Sequence, residues 1–141
     1  MILSGCPIRQ PDNCKGRKME KIHTDKAPLA IGPYSQAMRV GNLIYTSGQI
    51  PINPESGSID ASDIEGQTEQ VCANLAAVLA AAGSSMDKVV KTTCFITDMA
   101  NFATFNAVYA KHFPSCPARS CVAVRELPKG SLVEIEAIAE I

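Results

Sequence analysis

The C-terminal stretch Leu132–Ile141 alternates between two kinds of side chain. Because successive strand residues point to opposite faces, Glu134 and Glu136 share one face with Leu132 and Ile138. The other face is continuously apolar and is predicted to pack on the core; it is formed by Val133, Ile135, Ala137 and Ala139. The glutamates are interpreted either as a solvated sheet face, which periodicity alone favours, or as site residues of which one pairs with Arg119.

The same kind of pattern predicts six strands and two helices. The strands are predicted at Lys21–Thr24, Gln36–Val40, Leu43–Ser47, Val89–Ile96, Ser120–Val124 and Leu132–Ile141. The first helix is predicted at Ser62–Ala82, with an S-x-x-E capping box at its start and Gly83 at its end. The second is predicted at Asn101–Phe113, before Pro114.

This order of elements predicts a two-layer α+β domain, in which a mixed six-stranded sheet carries both helices on one face. The other face of the sheet then needs a cover. Oligomerisation through that face is the economical solution, and it allows sites to form between subunits.

Composition narrows the class of protein. The chain has 141 residues, 46% of them apolar and 19% charged, which is typical of one globular domain. A net charge of −1 without a basic stripe argues against binding to nucleic acid through phosphate neutralisation. No apolar run approaches the ~18 residues of a membrane span.

The N-terminus and the cysteines bear on location. Residues 1–18 show no periodicity and are predicted to be a flexible extension before a domain at 19–141. Their apolar start, Met1–Leu3, is too short for a signal peptide, and their basic residues give only weak support to organelle import. The six cysteines include no C-x-x-C pair, so a zinc site is not expected and a reducing, cytoplasmic location fits best.

Several residues have two interpretations. Gly48 either ends a strand or lets a ligand approach the backbone closely. Asn106 is either a buried amide bonded to backbone or a site residue, and His112 is interpreted as a helix-end residue rather than a catalyst. A simple hairpin between the last two strands would bring Glu134 nearer Arg125 than Arg119. Either those strands are not adjacent, or Arg119 and Glu134 are brought together in another way, such as across an interface.

Five motifs in order resemble the RidA (YjgF) family. They are G-P-Y-S-Q-A (32–37), T-S-G-Q-I-P (46–51), K-T-T-C-F-I-T-D (91–98), P-A-R-S-C-V (117–122) and V-E-I-E-A-I-A (133–139). The resemblance implies a chorismate-mutase-like fold, assembled as a homotrimer with clefts between subunits. It also implies a cofactor-independent 2-iminobutanoate/2-iminopropanoate deaminase, which hydrolyses imine and enamine acids such as 2-aminoacrylate released by pyridoxal-phosphate-dependent dehydratases.

The motifs also imply roles for single residues. By this resemblance Arg119 binds the substrate carboxylate and Glu134 holds the attacking water, while Tyr34, Ser47, Gly48, Asn106 and Cys121 line the cleft. An arginine fork suits a planar carboxylate, and a desolvated glutamate suits acid–base work, so neither a metal nor a covalent nucleophile is required. Two alternatives stay open: an endoribonuclease or translation inhibitor, and a non-catalytic carboxylate-binding or chaperone-like trimer.

Overall fold

The computed structural model of the protein describes residues 18–141. Its regular elements are β1 (Met19–Ile22), β2 (Ala37–Val40), β3 (Leu43–Thr46), α1 (Ile64–Ala81), β4 (Val89–Ile96), α2 (Phe102–His112), β5 (Ala118–Ala123) and β6 (Val133–Glu140). The sequence prediction for residues 1–18 therefore lies, except for Lys18, outside the described residues. No helix in the described part of the chain has the length and apolar character needed to cross a membrane.

All six strands form one mixed sheet in the order β1-β2-β3-β6-β4-β5. Strands β4 and β5 are parallel, as expected for two strands joined by a helix, and the other neighbours are antiparallel. The final strand β6 lies between β3 and β4, so β5 and β6 are not adjacent. The predicted mixed α+β sheet is confirmed, and the possible hairpin between the last two strands is excluded.

One face of the sheet and the two helices enclose the core. The apolar row of β6 faces this core, with Val133, Ile135 and Ala139 fully buried. Helix α1 contributes a buried stripe that includes Leu75 and Leu79, and α2 contributes Phe105. The alternation along β6 thus predicts its buried face correctly.

The predicted boundaries need small corrections. Strand β1 starts and ends two residues earlier than predicted, because the Thr24 backbone turns away to donate to the buried side chain of Gln36 at 2.7 Å. Strand β5 also begins two residues earlier than predicted. The predicted capping box at Ser62 is wrong: Asp63 is the cap of α1, and its carboxylate accepts from the Gly66 amide at 2.8 Å.

The end of α1 follows the sequence prediction. Gly83 adopts a φ of 81°, and the following amide, that of Ser84, donates back to the Leu79 carbonyl at 2.9 Å. A positive φ at this position is favourable for glycine, which has no Cβ to clash. Gly83 therefore ends the helix as predicted.

The second face of the sheet is not covered by either helix. It carries the glutamate row of β6 and several exposed apolar side chains, among them Tyr45 and Val122 at 44% and 47% exposure. Strand pairing places Ile138 of β6 directly beside Tyr45. We refer below to this side of the sheet as the open face.

Candidate active site

A β-bulge shapes the centre of the open face. Pairing runs regularly from β3 to β6 as far as Tyr45 and Ile138, and resumes where Gln49 exchanges backbone hydrogen bonds with Ile135. The four residue steps from Tyr45 to Gln49 therefore match only three steps from Ile138 to Ile135, and this excess of one residue defines a bulge. Ser47 and Gly48 lie within this irregular segment, and the Ser47 hydroxyl is fixed by donating to the Ser35 carbonyl at 2.6 Å.

The carboxylate of Glu134 occupies the space beside Gly48. A Cβ built on Gly48 would overlap Glu134 Oε1 and would lie 2.9 Å from Cδ and 3.0 Å from Cγ. The glycine therefore lets the glutamate lie against the backbone, and the interpretation that a ligand approaches Gly48 stays a prediction. Here the group that approaches closely is a side chain of the protein itself.

Glu134 is half-buried and titrates abnormally. Burial raises the pKa of its carboxyl above the usual range, and the negative charge of Glu136, on the same face of β6, raises that pKa further. The carboxylate consequently holds a proton more readily than an exposed glutamate would. Such a group is suited to accept and to return protons.

Around Glu134 is a cavity of about 510 Å³. Its walls are formed by Ile31, Tyr34, Thr46, Ser47, Gly48, Ile50, Pro128, Glu134 and Glu136. Tyr34 is 48% exposed, and its hydroxyl accepts a hydrogen bond from the Ile31 amide at 3.3 Å. We call this set of residues the glutamate half-site.

Buried amide side chains anchor the segments of the glutamate half-site. Gln36 donates to the carbonyls of Thr24 and Pro28, at 3.0 and 2.8 Å, and so holds the loop that carries Tyr34. Asn74 of α1 donates to the carbonyl of the lining residue Ile50 at 3.1 Å. These bonds fix loop backbone that has no ladder partners of its own.

Arg119 lies in a different environment, against helix α2. It donates from Nη1 to Asn106 Oδ1 at 2.7 Å. Its guanidinium carbon is 4.7 Å from the ring centre of Tyr109, and it lies 5.6 and 5.9 Å from those of Phe102 and Phe105. Among residues 18–141 the ion pairs within 4.0 Å do not include Arg119, so its charge is free to meet an anion.

A second cavity, of about 610 Å³, opens beside Arg119. Its walls are formed by Asn106, Tyr109, Ala110, Phe113, Pro114, Cys116, Pro117 and Arg119. We call this set the arginine half-site. Cys121 follows Arg119 by two residues and shares its face, but it packs against the core rather than lining this cavity.

The two half-sites are on opposite faces of the sheet. Arg119 pairs through Thr92 with Ala137, which points into the core, whereas Glu134 points to the open face. Two strand spacings and three residues along β6 separate the two positions, which amounts to roughly 14 Å between Cα atoms. One chain by itself therefore cannot place both side chains around one small substrate.

Comparison with known proteins assigns the chain and its fold to a family. The family model described as Endoribonuclease L-PSP matches residues 24–141. The chain belongs to this family, the YjgF/RidA family. The resemblance of the five motifs is thereby confirmed.

Relatives within the family align with this chain along nearly their whole length. The Escherichia coli protein named 2-iminobutanoate/2-iminopropanoate deaminase is 49% identical over 122 residues, which are 84% of this chain and 94% of that protein. The crystal structure of a Rid-family protein of unknown function from Yersinia pestis is 52% identical, with a TM-score of 0.85 over 88% of this chain and 100% of that one. E. coli TdcF with bound serine is 44% identical, with a TM-score of 0.83 over 86% and 98%.

Within this RidA-type chain the sequence-predicted site residues fall into two groups. Tyr34, Ser47, Gly48 and Glu134 line one cavity, and Asn106 and Arg119 line the other, whereas Cys121 lines neither. The roles of these residues in binding and catalysis stay predictions.

Some lining residues were missed by sequence reasoning. Tyr109 belongs to a predicted helical stripe and was indistinguishable there from a core aromatic. Ile31 and Pro128 come from loops whose distance to Glu134 in sequence gives no signal of contact. Cys116 lies in the connection from α2 to β5 with a φ of 49°, a conformation that nothing in the local sequence predicts.

Proposed function

We propose that the protein hydrolyses 2-imino acids and their enamine tautomers, such as 2-aminoacrylate, to 2-oxo acids and ammonia. The observation that carries this proposal is the pair of half-sites: a free arginine in one and a desolvated glutamate in the other. The relative named as a deaminase at 49% identity supports the same reaction. The site is complete where the arginine half-site of one subunit meets the glutamate half-site of another.

The arginine half-site binds the carboxylate of the substrate. A guanidinium presents parallel N–H groups to a planar carboxylate, and Nη1 is already oriented by its bond to Asn106. The aromatic rings around Arg119 exclude water from part of the guanidinium, which strengthens its attraction for an anion. The E. coli TdcF structure with bound serine shows that a chain of this fold accepts a small molecule with a carboxylate.

The glutamate half-site supplies water and moves protons. Ionised Glu134 accepts a proton from water as the water oxygen adds to the imine carbon, and it returns that proton to the nitrogen, so that a neutral carbinolamine forms. The carboxylate then takes the hydroxyl proton of the carbinolamine and delivers it to the amino nitrogen. The C–N bond breaks with its electron pair leaving on ammonia, and the carbonyl of the 2-oxo acid forms. A raised pKa makes Glu134 competent in both directions of proton transfer.

Assembly follows from the uncovered sheet face. The open face exposes Tyr45 next to the half-buried Ile138, and it exposes Val122 three strands away from Tyr45. Exposed apolar side chains on a sheet face that no helix covers are typical of a surface that another subunit covers. A cyclic trimer of the chorismate-mutase-like type would use this face three times and form three composite sites. In each composite site one chain would supply the lining residues of the arginine half-site, such as Asn106, and its neighbour those of the glutamate half-site, such as Ser47.

The direct test is hydrolysis of 2-iminopropanoate generated in situ, with release of ammonia as the readout. The wild type is expected to accelerate hydrolysis, and Arg119→Ala and Glu134→Ala to lose that acceleration while keeping the oligomeric state. Absence of acceleration by the wild type with several 2-imino acids would refute the deaminase. Circular dichroism and light scattering check that the variants are folded and assembled.

Subunit mixing tests the composite site. When Arg119→Ala and Glu134→Ala chains are unfolded and reassembled together at equal amounts, one chain donates Arg119 and its neighbour donates Glu134 in about one quarter of the interfaces, ½ × ½. About a quarter of wild-type activity should return from two inactive proteins. No recovery in verified mixed oligomers would contradict a site shared between chains.

The family's description as an endoribonuclease gives the second candidate function. The lining residues of the two cavities include only one basic side chain, Arg119, whereas binding of an RNA strand typically depends on several basic side chains that contact phosphates. Ribonuclease activity that survives Arg119→Ala would identify a separate site or a contaminant. Carboxylate binding without turnover would instead indicate the non-catalytic alternative.

A further inference from the structure

Two contacts fix the orientation of Tyr109, the aromatic side chain nearest Arg119. The hydroxyls of Tyr109 and Thr92 are 2.6 Å apart, and both residues are buried. The Tyr109 ring also stacks on Phe113, with ring centres 4.2 Å apart and planes inclined by 23°. Hydroxyl and ring together leave this side chain little freedom to rotate.

The position of Thr92 connects this bond to the arginine. In the parallel pairing of β4 with β5, Thr92 is the direct partner of Arg119 and points to the same face. The Tyr109 ring is therefore anchored to the strand residue beside the arginine, while its face lies 4.7 Å from the guanidinium carbon. Helix α2, β4 and β5 meet at this one side chain.

The chemistry explains why an aromatic support suits this arginine. A carboxylate partner would fix the guanidinium more strongly, but it would neutralise the charge and occupy the N–H groups that a substrate needs. A ring face attracts the cation through its quadrupole and accepts none of the in-plane hydrogen bonds. Burial also raises the pKa of the Tyr109 hydroxyl, which keeps the ring neutral at ordinary pH.

We propose that Tyr109 is a positioning residue that orients Arg119 toward the substrate carboxylate, and that Thr92 acts through Tyr109 by fixing its ring. The proposal rests on Arg119 being the carboxylate anchor of the proposed function. It assigns to Tyr109 no contact with the reacting carbon or nitrogen. Its effect is therefore expected on carboxylate affinity and not on the hydrolytic step.

Three variants separate the ring from the hydroxyl. Tyr109→Leu removes the ring face, and the affinity for carboxylate ligands is expected to fall roughly 3- to 30-fold, the range of cation–π interactions from exposed to desolvated sites. Tyr109→Phe and Thr92→Val keep the ring but release it, and about 2- to 5-fold losses are expected from the lost buried hydrogen bond. In the deaminase assay these losses are expected in KM, with kcat changed less.

The decisive readout is binding of 2-oxobutanoate compared with its neutral amide, 2-oxobutanamide, to the assembled full chain by calorimetry. Tyr109→Leu should lower the affinity for the acid and leave the affinity for the amide unchanged, so that the preference for the acid falls. A merely structural role would weaken the binding of both ligands together. The core variant Val78→Ala on α1, a position that lines neither cavity, is expected to leave the preference for the acid unchanged. An unchanged preference for the acid in Tyr109→Leu would overturn the proposal.

A spectroscopic readout does not depend on activity. The Nε–H proton of Arg119, assigned by its loss in Arg119→Lys, should be shifted upfield by the ring current in the wild type and in Tyr109→Phe. The shift should be smaller in Tyr109→Leu, where only the more distant rings of Phe102 and Phe105 remain, and an identical resonance in all three proteins would refute the assigned geometry. If the wild type shows this behaviour and binds the acid selectively but hydrolyses no imine, the deaminase proposal fails while the positioning role stands.

Discussion

Replacement of Gly48 by alanine is the sharpest perturbation that the structure offers. The added methyl group would overlap the Glu134 carboxylate and lie 2.9 Å from its Cδ atom, so the glutamate must leave its present rotamer. The atoms that clash belong to the end of a flexible side chain, and a displaced rotamer costs about 0.5–1.5 kcal/mol. The thermal midpoint is therefore expected to fall by only about 2–6 °C.

The effect on activity should be much larger than the effect on stability. A misplaced general acid–base group loses about 10²- to 10⁴-fold in rate, which at 1.36 kcal/mol per tenfold is about 3–5 kcal/mol of transition-state stabilisation. We expect kcat for 2-iminopropanoate to fall by this factor in Gly48→Ala, close to the loss in Glu134→Gln. Ammonia release under saturating substrate measures the change.

A double-mutant cycle provides the control. In a Glu134→Ala background the carboxylate is absent, so Gly48→Ala should cost almost no further stability or activity. Full activity in Gly48→Ala would refute the reasoning, because the glutamate would then act from a position that the added methyl does not disturb. Equal stability losses in both backgrounds would show that the backbone, and not the carboxylate, requires the glycine.

Three further predictions concern protonation, hydrogen bonding and folding. Burial and, to a smaller extent, the charge of Glu136 raise the pKa of Glu134, so between the ordinary and the raised pKa the folded protein binds more protons than the unfolded chain. The resulting contribution to the free energy of unfolding is present at low pH and is lost as the pH rises through that window. Base catalysis by Glu134 is expected to appear over the same window. The acid limb of the kcat profile should therefore move to lower pH in Glu136→Gln, and an unmoved limb would exclude Glu134 as the titrating base. Asn106→Ala removes the bond to Arg119 and should raise KM about 10-fold or more, whereas Asn106→Asp should raise it further by pairing with the guanidinium; equal KM values in wild type and Asn106→Ala would contradict this role. Asp63→Ala should lower the free energy of unfolding by about 1 kcal/mol in urea titrations with kcat unchanged, and an unaltered free energy would show that the cap of α1 contributes nothing.

The features that the sequence predicts best are those that depend on the local periodicity of apolar and polar residues. The alternation along β6 has a period of two and one apolar face, so a shift of one residue would bury three glutamates, Glu134, Glu136 and Glu140. The helical stripe of α1 and the glycine after it are equally local. The start of α1 is harder, since Ser62 and Asp63 both suit a cap, and only the backbone geometry selects Asp63. Ser62→Ala should consequently leave stability unchanged.

The features that the sequence misses depend on contacts distant along the chain. Strand β6 lies between β3 and β4 and forms backbone hydrogen bonds with both, and no local sequence pattern specifies this pairing. Asn106 illustrates the result: a backbone partner is the commoner choice for a buried amide, but β5 places the Arg119 guanidinium 2.7 Å away. The bulge beside Gly48 likewise appears only when the registers of two strands are compared.

The separation of charge between the two faces of the sheet predicts that the proposed activity depends on assembly. Within the described chain Glu134 lies near another carboxylate, Glu136, and Arg119 lies against an amide and aromatic rings, so neither charge is neutralised by an opposite one. If the proposed trimer brings them to one cleft, activity per chain should be constant at high concentration and fall when dilution dissociates the oligomer. Mass photometry beside the ammonia assay measures both quantities. Undiminished activity per chain in a population of monomers would show that one half-site suffices, and the split site would have to be abandoned.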